Sequence, residues 1–429
     1  MRNFIKLFIV FLLSVGIFNC GKKGDKKRIE FWTLQLSPTF DNYFKEIIDR
    51  YEKQNPDIDI VWVDIPYDAA IQKLLASAVA GNSPDVVNLS SDFLAKFAGM
   101  NALVDLAEFV PKDSFNIFLP NALENCIYNN KIVGLPWYLN TYVLIYNKEF
   151  FKNAGLNEKD IPKTFSELVE TTKKYKDKTG RYALFWNIGK DSYLPMMLGS
   201  EEVEMTDSQM TKAVFNSPEG ISLVDKWVKL YKNGYLQSES IIKPGSTIIE
   251  AYQSGQVAMV FTGPVFLRRV KDNAPTIYNN TDVAPAVVGK TGRHELAAMS
   301  ISVMKSSNHL KEAVDFAFYV TNSENQIAFS KIETTYPSTL DALKDSFFTS
   351  DDGTLETKAR IIGAKELFDA VRLRKYLEHP QFDKLRDAFD EAIQKACLGK
   401  MSTKEALDEA AKKWNEILAQ PNYSQKEGL

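Results

Sequence analysis

The sequence predicts an α/β protein of two lobes, each a mostly parallel sheet flanked by helices, with a ligand cleft between the lobes. Three features support this prediction. Short β-rich runs alternate with helical patterns over the first hundred residues after the leader. The composition changes at Asn129–Lys148, where an aromatic, proline-containing segment leads from a first lobe into a second. Strand character returns near Asp282–Met304, which predicts that the chain goes back to the first lobe.

The first lobe begins with a βαβαβ run. Its strands are predicted at Arg28–Gln35, Asp57–Ile65 and Pro84–Leu89, and Ser37-Pro38 is predicted to start the first helix. Such a run folds into a parallel sheet with right-handed crossovers, and ligands of these sheets lie beyond the carboxyl ends of the strands. The candidate ligand contacts at these ends are Gln35, Tyr67, Ser90 and Ser91.

Helix signals continue through the second lobe to the C-terminus. Ser217-Pro218 predicts the start of a helix that ends at Gly234, and Ser402 and Glu405 predict a capping box at the last helix. The predicted division is a signal peptide at 1–19, a tether at 20–28, the first lobe at 29–140, the second lobe at 141–281, a return to the first lobe at 282–338, and second-lobe C-terminal helices at 339–429.

The N-terminus has the pattern of an export signal. Arg2 and Lys6 flank the start of an apolar run, Leu7–Phe18, which is too short to span a bilayer as a mature helix. The run is followed by Cys20 and then by a polar, basic stretch. We expect cleavage before Cys20 and lipidation of that residue, which would anchor an exported protein to a bacterial membrane on its periplasmic or cell-surface side. An uncleaved signal anchor would place the protein in the same compartment.

Composition argues against several classes of function. The formal net charge of −3 leaves no large basic surface for nucleic acid. His294, His309 and His379 have no neighbours at metal-ligand spacing, and no phosphate-binding loop or nucleophile motif occurs. We therefore expect no metal, no cofactor and no catalytic activity, in a protein that acts as a monomer. Cys126 and Cys397 are expected to be isolated buried thiols, with a disulfide between them as the alternative.

Two aromatic segments are candidates for sugar recognition. Trp137 and Tyr138 fit neither strand nor helix periodicity, and Asn140 follows them. A ring face packs on the C–H face of a pyranose, while amides and hydroxyls bond to the sugar hydroxyls. Trp186, beside an asparagine, is a second such pair, and Gly263-Pro264 forms a rigid turn where backbone can approach a ligand closely. The alternative is that these aromatic rings belong to the core.

Fragments in a fixed order along the chain carry a family resemblance. They are I-E-F-W-T at Ile29–Thr33, Y-E-K-Q-N-P-D-I at Tyr51–Ile58, S-P-D-V-V at Ser83–Val87, G-L-P-W-Y at Gly134–Tyr138, V-L-I-Y-N-K at Val143–Lys148, F-N-S-P-E-G at Phe215–Gly220, G-Q-V-A-M-V-F-T-G-P at Gly255–Pro264 and A-I-Q-K-A-C-L-G-K at Ala392–Lys400. With these fragments the chain resembles the family 1 extracellular solute-binding proteins of ABC importers, the maltose-binding-protein-like group. The resemblance covers nearly the whole mature chain.

The resemblance implies a periplasmic-binding-protein fold whose two lobes hinge closed on a ligand, mostly a sugar, for delivery to ABC permease subunits in the membrane. It implies that the Trp137 segment and Gly263-Pro264 reach the cleft. Phe266 stands where many members have tryptophan, and Tyr336 precedes a proline of the family pattern, so both are expected near the ligand. A glycerol-phosphate derivative or a polyamine is the alternative ligand. A lipid-anchored glycosidase or a surface adhesin is the alternative class of protein.

Overall fold

The computed structural model describes residues 26–243 and 247–420 of the 429-residue chain. The predicted signal peptide, Cys20 and most of the tether lie outside the described residues. Within the two described ranges, none of the helices is both long and apolar enough to cross a membrane.

Strands and helices alternate over most of the described chain. The strands are β1 (Lys27–Leu34), β2 (Ile58–Ile65), β3 (Val86–Ser90), β4 (Ile127–Tyr128), β5 (Lys131–Ile132), β6 (Leu135–Asn140), β7 (Val143–Asn147), β8 (Tyr182–Leu184), β9 (Val257–Thr262), β10 (Thr281–Ala284), β11 (His294–Glu295), β12 (Ala297–Val303), β13 (Tyr336–Pro337) and β14 (Ala370–Val371). The α-helices are α1 (Asp41–Gln54), α2 (Tyr67–Ala80), α3 (Ser91–Gly99), α4 (Pro120–Glu124), α5 (Lys148–Asn153), α6 (Phe165–Thr179), α7 (Leu194–Ser200), α8 (Pro218–Lys232), α9 (Ile248–Gln253), α10 (Phe266–Asn273), α11 (Pro275–Tyr278), α12 (Leu310–Val320), α13 (Ser323–Ile332), α14 (Ser346–Thr349), α15 (Leu355–Glu366), α16 (Phe382–Cys397) and α17 (Thr403–Leu418). Short 3-10 turns are found at Leu106–Glu108, Lys112–Ile117, Glu158–Asp160, Ser238–Ile241, Ala342–Lys344 and Lys375–Glu378.

Among the described residues, two larger sheets define two lobes. The first sheet has the order β13-β6-β12-β3-β1-β2, and the second has the order β10-β7-β9-β8. In the first sheet β1 pairs in parallel with β2 and β3, whereas β12 and β13 pair in antiparallel fashion with their neighbours. In the second sheet only β8 and β9 are parallel. The prediction of a two-lobed α/β protein is confirmed, but its sheets are mixed rather than mostly parallel. Antiparallel strands enter where the chain crosses between the lobes, as in β6, β7 and β12.

Each lobe has its own core. In the first lobe α1 buries one stripe, Tyr43, Phe44, Ile47 and Tyr51, against the sheet, as its helical spacing predicts. In the second lobe α8, α16 and α17 pack together around a core that contains Trp186, Trp227 and Trp414. Burial of this much apolar surface supplies the main stabilising free energy of both lobes.

The boundaries between the lobes differ from those predicted. β10 belongs to the second sheet, so the return to the first lobe comes later than residue 282, with β12. Leu343 and Phe348 share a buried cluster with Leu139 of β6. The segment after residue 339 therefore still packs on the first lobe, and contact with the second sheet begins at α15.

Candidate ligand-binding cleft

The parallel strands β1, β2 and β3 end on the same side of the first sheet. Gln35 follows β1 with a φ of 54°, a left-handed conformation that is uncommon for a residue with a side chain. Its Oε1 accepts a hydrogen bond from the Tyr67 N–H at 3.4 Å. Asp64 fixes the neighbouring loop because its carboxylate accepts the N–H groups of Leu36, at 3.0 Å, and Ser37, at 3.1 Å. These contacts bring Gln35 and Tyr67 together.

Tyr67 presents an aromatic ring at this edge. The ring stacks on Phe93 of α3, with centroids 5.4 Å apart and planes at 26°. The Tyr67 residue is 38% exposed, whereas Phe93 beneath it is buried. A tyrosine supported from below and open to solvent can pack against the C–H face of a sugar ring.

Ser90 and Ser91 lie at the start of α3, the same edge of the sheet. The Ser91 Oγ donates to the Ala298 carbonyl at 3.2 Å, and the Ser90 Oγ donates to the Asp92 carboxylate. Both hydroxyl protons are thus used within the lobe. Each oxygen can still accept a hydrogen bond from a ligand hydroxyl.

Three of the six aromatic side chains that the sequence placed in the site, Trp137, Trp186 and Tyr336, are fully buried. Trp137 lies between Phe329, at 4.8 Å, and Phe44, at 6.2 Å between ring centroids. Trp186 stacks on Trp227 at 4.8 Å, in the second-lobe core. Tyr336 belongs to the buried cluster of β6 and α14. These placements correct the prediction that these rings contact a ligand, because core side chains cover them.

Asn140 and Gly263 join the lobes. A Cβ on Gly263 would lie 2.8 Å from both the Nδ2 and the Oδ1 of Asn140, so a larger residue here would have to displace the Asn140 amide. Pro264 is buried next to this contact, and Phe266, the first residue of α10, is half-buried. The predicted turn therefore lies against the end of β6, and it positions the two lobes relative to each other.

Tyr138 lies on the first-lobe side of the same junction. Its half-buried ring stacks on Phe329 at 4.9 Å. Burial raises the pKa of Tyr138, and Tyr67, Asp64 and Glu333 raise it further because they lie near its hydroxyl. Tyr138 and Tyr67 are therefore neighbours at the edge of the sheet.

The sequence does not indicate a group of polar side chains that the structure brings together on the second-lobe side. The group contains Tyr142, Tyr193, Arg374 and Glu295, named here the tyrosine–arginine cluster. Tyr142 stacks on Phe261 at 4.9 Å and meets Tyr193 edge-on at 6.2 Å. The Arg374 Nε lies 3.5 Å from the Glu295 Oε2. Burial would lower the pKa of Arg374, but Glu295 and the tyrosine hydroxyls together raise it.

The tyrosine–arginine cluster lies where the lobes meet. Arg374 directly precedes the 3-10 turn Lys375–Glu378, which packs against α3 of the first lobe. Lys96 of α3 also forms an ion pair with Asp383 of α16, with Nζ and Oδ2 3.8 Å apart. Four side chains from separate chain segments converge here, and no local pattern in the sequence indicates that they do.

A buried histidine connects the three segments that cross between the lobes. The His294 Nδ1 lies 3.0 Å from the Thr141 Oγ1, and its Nε2 lies 2.9 Å from the Glu366 Oε2. Thr141 follows β6, His294 precedes β12, and Glu366 ends α15. His294 is therefore a structural part of the hinge.

Neither a metal site nor a disulfide is found in the part of the chain that the structure describes. No group of three or more metal-ligating side chains occurs in residues 26–243 and 247–420. Cys126 and Cys397 are free, buried thiols in the first and second lobes, as expected. Burial raises the pKa of each thiol to about 12.

Comparison with known proteins agrees with this architecture. Residues 37–327 match the family described as bacterial extracellular solute-binding protein. The galactooligosaccharide-binding protein of Bacillus subtilis is 25% identical over 382 residues, which is 86% of this chain and 85% of that protein.

Solved structures show the same two-lobed fold. A candidate oligosaccharide periplasmic-binding protein from Synechococcus sp. MITs9220 has a TM-score of 0.83 and 30% identity, over 91% of this chain and 99% of that one. The sugar-binding protein MalE of Xanthomonas citri has a TM-score of 0.77 at 22% identity, over 94% of this chain and 100% of that one. The two-lobed fold and the family match together show that this chain belongs to the bacterial extracellular solute-binding proteins, as its sequence fragments predicted.

Proposed function

We propose that this protein captures a sugar between its lobes and delivers it to an ABC permease. The observation that carries the proposal is the Tyr67 ring, stacked on Phe93 and exposed at the edge of the first sheet. The tyrosine–arginine cluster supplies polar groups on the second-lobe side. The relatives named for galacto-oligosaccharide and other oligosaccharide binding support the same class of ligand.

Closure requires contacts to both lobes. A ligand shifts an open–closed equilibrium only by the difference in its affinity for the two states. A sugar held by Tyr67 in the first lobe and by the cluster in the second has such a difference, because both sets of contacts exist together only when the lobes close. The close contact of Gly263 with Asn140 and the contact of His294 with Thr141 hold the crossing segments together while the lobes move.

Thermal unfolding against a panel of solutes tests the proposal. The panel contains neutral oligosaccharides, glycerol phosphates and polyamines. A ligand at about 100 times its Kd adds roughly 2.7 kcal/mol of stability, which raises Tm by a few degrees. A shift with sugars is the expected result. A shift with phosphates or polyamines alone would replace sugar by that class, and no shift with any solute would contradict solute capture.

Two variants separate a ligand contact from a core role. Tyr67→Ala removes the exposed ring, and we expect sugar affinity to fall about 5- to 10-fold, equivalent to roughly 1 kcal/mol, with little change in Tm. Trp137→Phe is the control. It shrinks a buried ring, so we expect a stability loss of roughly 2 kcal/mol with unchanged affinity. Wild-type affinity in Tyr67→Ala would contradict the assignment of Tyr67.

We also propose that Cys20 carries the lipid that anchors the exported protein to its membrane. The apolar run ending near Cys20 and the basic tether after it support this proposal. Cys20→Ala should move the protein from the membrane fraction to the soluble fraction of cells. Retention of Cys20→Ala on the membrane would favour an uncleaved signal anchor.

A further inference from the structure

A cavity of about 280 Å³ lies between the start of α10 and the loop that follows α13. The helix α10 packs on the second sheet, and α13 packs in the core of the first lobe. Pro264 and Arg268 line the cavity from the second lobe, and Thr334 lines it from the first. Ligand pockets of proteins have volumes of about 300–1,000 Å³. A cavity at the lower limit of this range fits one sugar ring rather than a chain of several.

The cavity adjoins the first-lobe side of the candidate cleft. Tyr138 and Asn140 are two positions apart in β6, so their side chains lie on the same face of the sheet. Asn140 contacts Gly263, and the next residue, Pro264, lines the cavity. The strand β13 pairs with β6 beside Tyr138, and Thr334 comes two positions before β13. Both walls of the cavity are therefore attached to the segments that surround Tyr138.

Tyr138 also relates the cavity to the exposed ring of Tyr67. Burial raises the pKa of Tyr138, and Tyr67 and Glu333 raise it further because both lie near its hydroxyl. Glu333 directly precedes Thr334, which lines the cavity. The order along this edge is thus Tyr67, Tyr138 and then the cavity. A ring packed on Tyr67 and a sugar unit in the cavity can belong to one oligosaccharide.

The guanidinium of Arg268 is open to a ligand in this cavity. Its Nε lies 3.9 Å from the Asp272 Oδ2, which is beyond hydrogen-bond distance, and the Arg268 side chain is 70% exposed. Lys271, by contrast, is paired with Glu356, with Nζ and Oε1 2.6 Å apart. The two cations and two carboxylates that line the cavity balance each other, which favours an uncharged ligand. The N–H donors of a guanidinium can bond to the hydroxyl oxygens of such a sugar.

We propose that this cavity is an outer subsite of the ligand cleft, in which Arg268 binds the hydroxyls of a second sugar unit, so that the protein prefers an oligosaccharide to the corresponding monosaccharide. The inference rests on the proposed function and makes it more specific. Because both lobes line the cavity, a sugar unit inside it also favours the closed arrangement of the lobes.

Isothermal titration with sugars of increasing length tests the inference. The probes are glucose, maltose and maltotriose in one series, and galactose, galactobiose and galactotriose in the other. The exported chain is used in detergent, and weak monosaccharide binding is measured by competition with the trisaccharide. We expect wild type to bind the trisaccharide of its preferred series about tenfold more tightly than the monosaccharide, because the longer ligand gains the hydrogen bonds of Arg268.

Two neighbouring arginines of α10 provide the variant and its control. Arg268→Ala should weaken trisaccharide binding about tenfold and leave monosaccharide affinity unchanged. Arg269→Ala removes the same charge from the next position. The Arg269 Nη2 lies 3.2 Å from the Glu250 Oε1, and its guanidinium lies 5.7 Å from the centre of the Phe266 ring. Arg269 does not line the cavity, so Arg269→Ala should keep wild-type affinity for every sugar.

The outcomes separate the inference from the proposed function. If wild type binds the monosaccharide and the trisaccharide equally, the outer subsite is wrong and sugar capture stands. The same conclusion follows if Arg268→Ala, folded as judged by Tm, keeps wild-type affinity or loses equal affinity for both lengths. An equal loss in Arg269→Ala would assign the effect to the charge of α10 and overturn the subsite. If wild type binds none of the six sugars, sugar capture fails and the inference fails with it.

Discussion

The buried carboxyl of Asp390 should make the stability of the protein depend on pH. This residue of α16 is 3% exposed, and its Oδ2 accepts the Asp191 N–H at 2.8 Å. Burial raises the pKa of the Asp390 carboxyl from its ordinary 3.8 to about 7, and the nearby Asp191 carboxylate contributes in the same direction. The substitution Asp390→Asn keeps an oxygen for the Asp191 N–H and cannot ionise.

The change of unfolding free energy with pH follows from the pKa of the Asp390 carboxyl in the unfolded chain and in the folded protein. Between about pH 4 and pH 7 the folded protein holds a proton on Asp390 that the unfolded chain has lost, so stability falls as pH rises through this range. A rise of about three pKa units corresponds to about 4 kcal/mol. Below pH 4 the protonated acid and the amide are equivalent. Above pH 7 the variant should be more stable than wild type by a few kcal/mol.

Urea unfolding of wild type and Asp390→Asn from pH 4 to pH 8 measures this difference. The exposed Asp341, which pairs with Lys344 on the surface, provides the control Asp341→Asn. The difference between wild type and Asp390→Asn should grow with pH, while that for the control should stay small. A difference for Asp390→Asn that does not change with pH would refute the reasoning, since the carboxyl would then titrate alike in both states.

Two further predictions concern close packing and the hinge. A Cβ on Gly363 would lie 2.0 Å from the Tyr336 hydroxyl oxygen, so Gly363→Ala should cost about 1–3 kcal/mol of unfolding free energy in urea. Adding Tyr336→Phe to Gly363→Ala should restore part of the lost unfolding free energy, because the hydroxyl that clashes is removed. If the double variant is no more stable than Gly363→Ala, the clash with the Tyr336 hydroxyl is not the cause of the loss. His294→Leu leaves the Thr141 hydroxyl and the Glu366 carboxylate without their shared partner and should cost about 1–3 kcal/mol. Wild-type stability in His294→Leu would show that the hinge does not depend on this residue.

Local signals in the sequence predicted several elements correctly. Ser217 caps α8, with its Oγ accepting the Gly220 N–H at 3.1 Å, and Ser402 and Glu405 form the capping box of α17. These predictions hold because a cap involves residues within one helical turn. The start of α1 was predicted too early. The helix begins at Asp41 rather than at Ser37-Pro38, because Asp64 of the neighbouring strand binds the N–H groups of the preceding loop.

The candidate site was predicted only in part. Gln35, Tyr67, Ser90 and Ser91 lie together at the carboxyl edge of the first sheet because parallel strands end on the same side. The prediction that Trp137 contacts the ligand was wrong. It assumed that a ring outside a clear periodic pattern is open to solvent, whereas packing with Phe329 covers it.

The sequence by itself determined the family, the order of most strands and helices, and the caps, since these depend on neighbours along the chain. Only the tertiary structure decided which aromatic rings are exposed and which polar groups from distant segments come into contact. Tyr67 and Trp137 are both aromatic residues near strands, but one stacks at an edge and the other lies in a core. Arg374 and Glu295 are 79 positions apart in the chain and meet because β11 pairs with β14. Contacts of this kind are fixed by how the sheets pair and how the lobes pack, which no local pattern records.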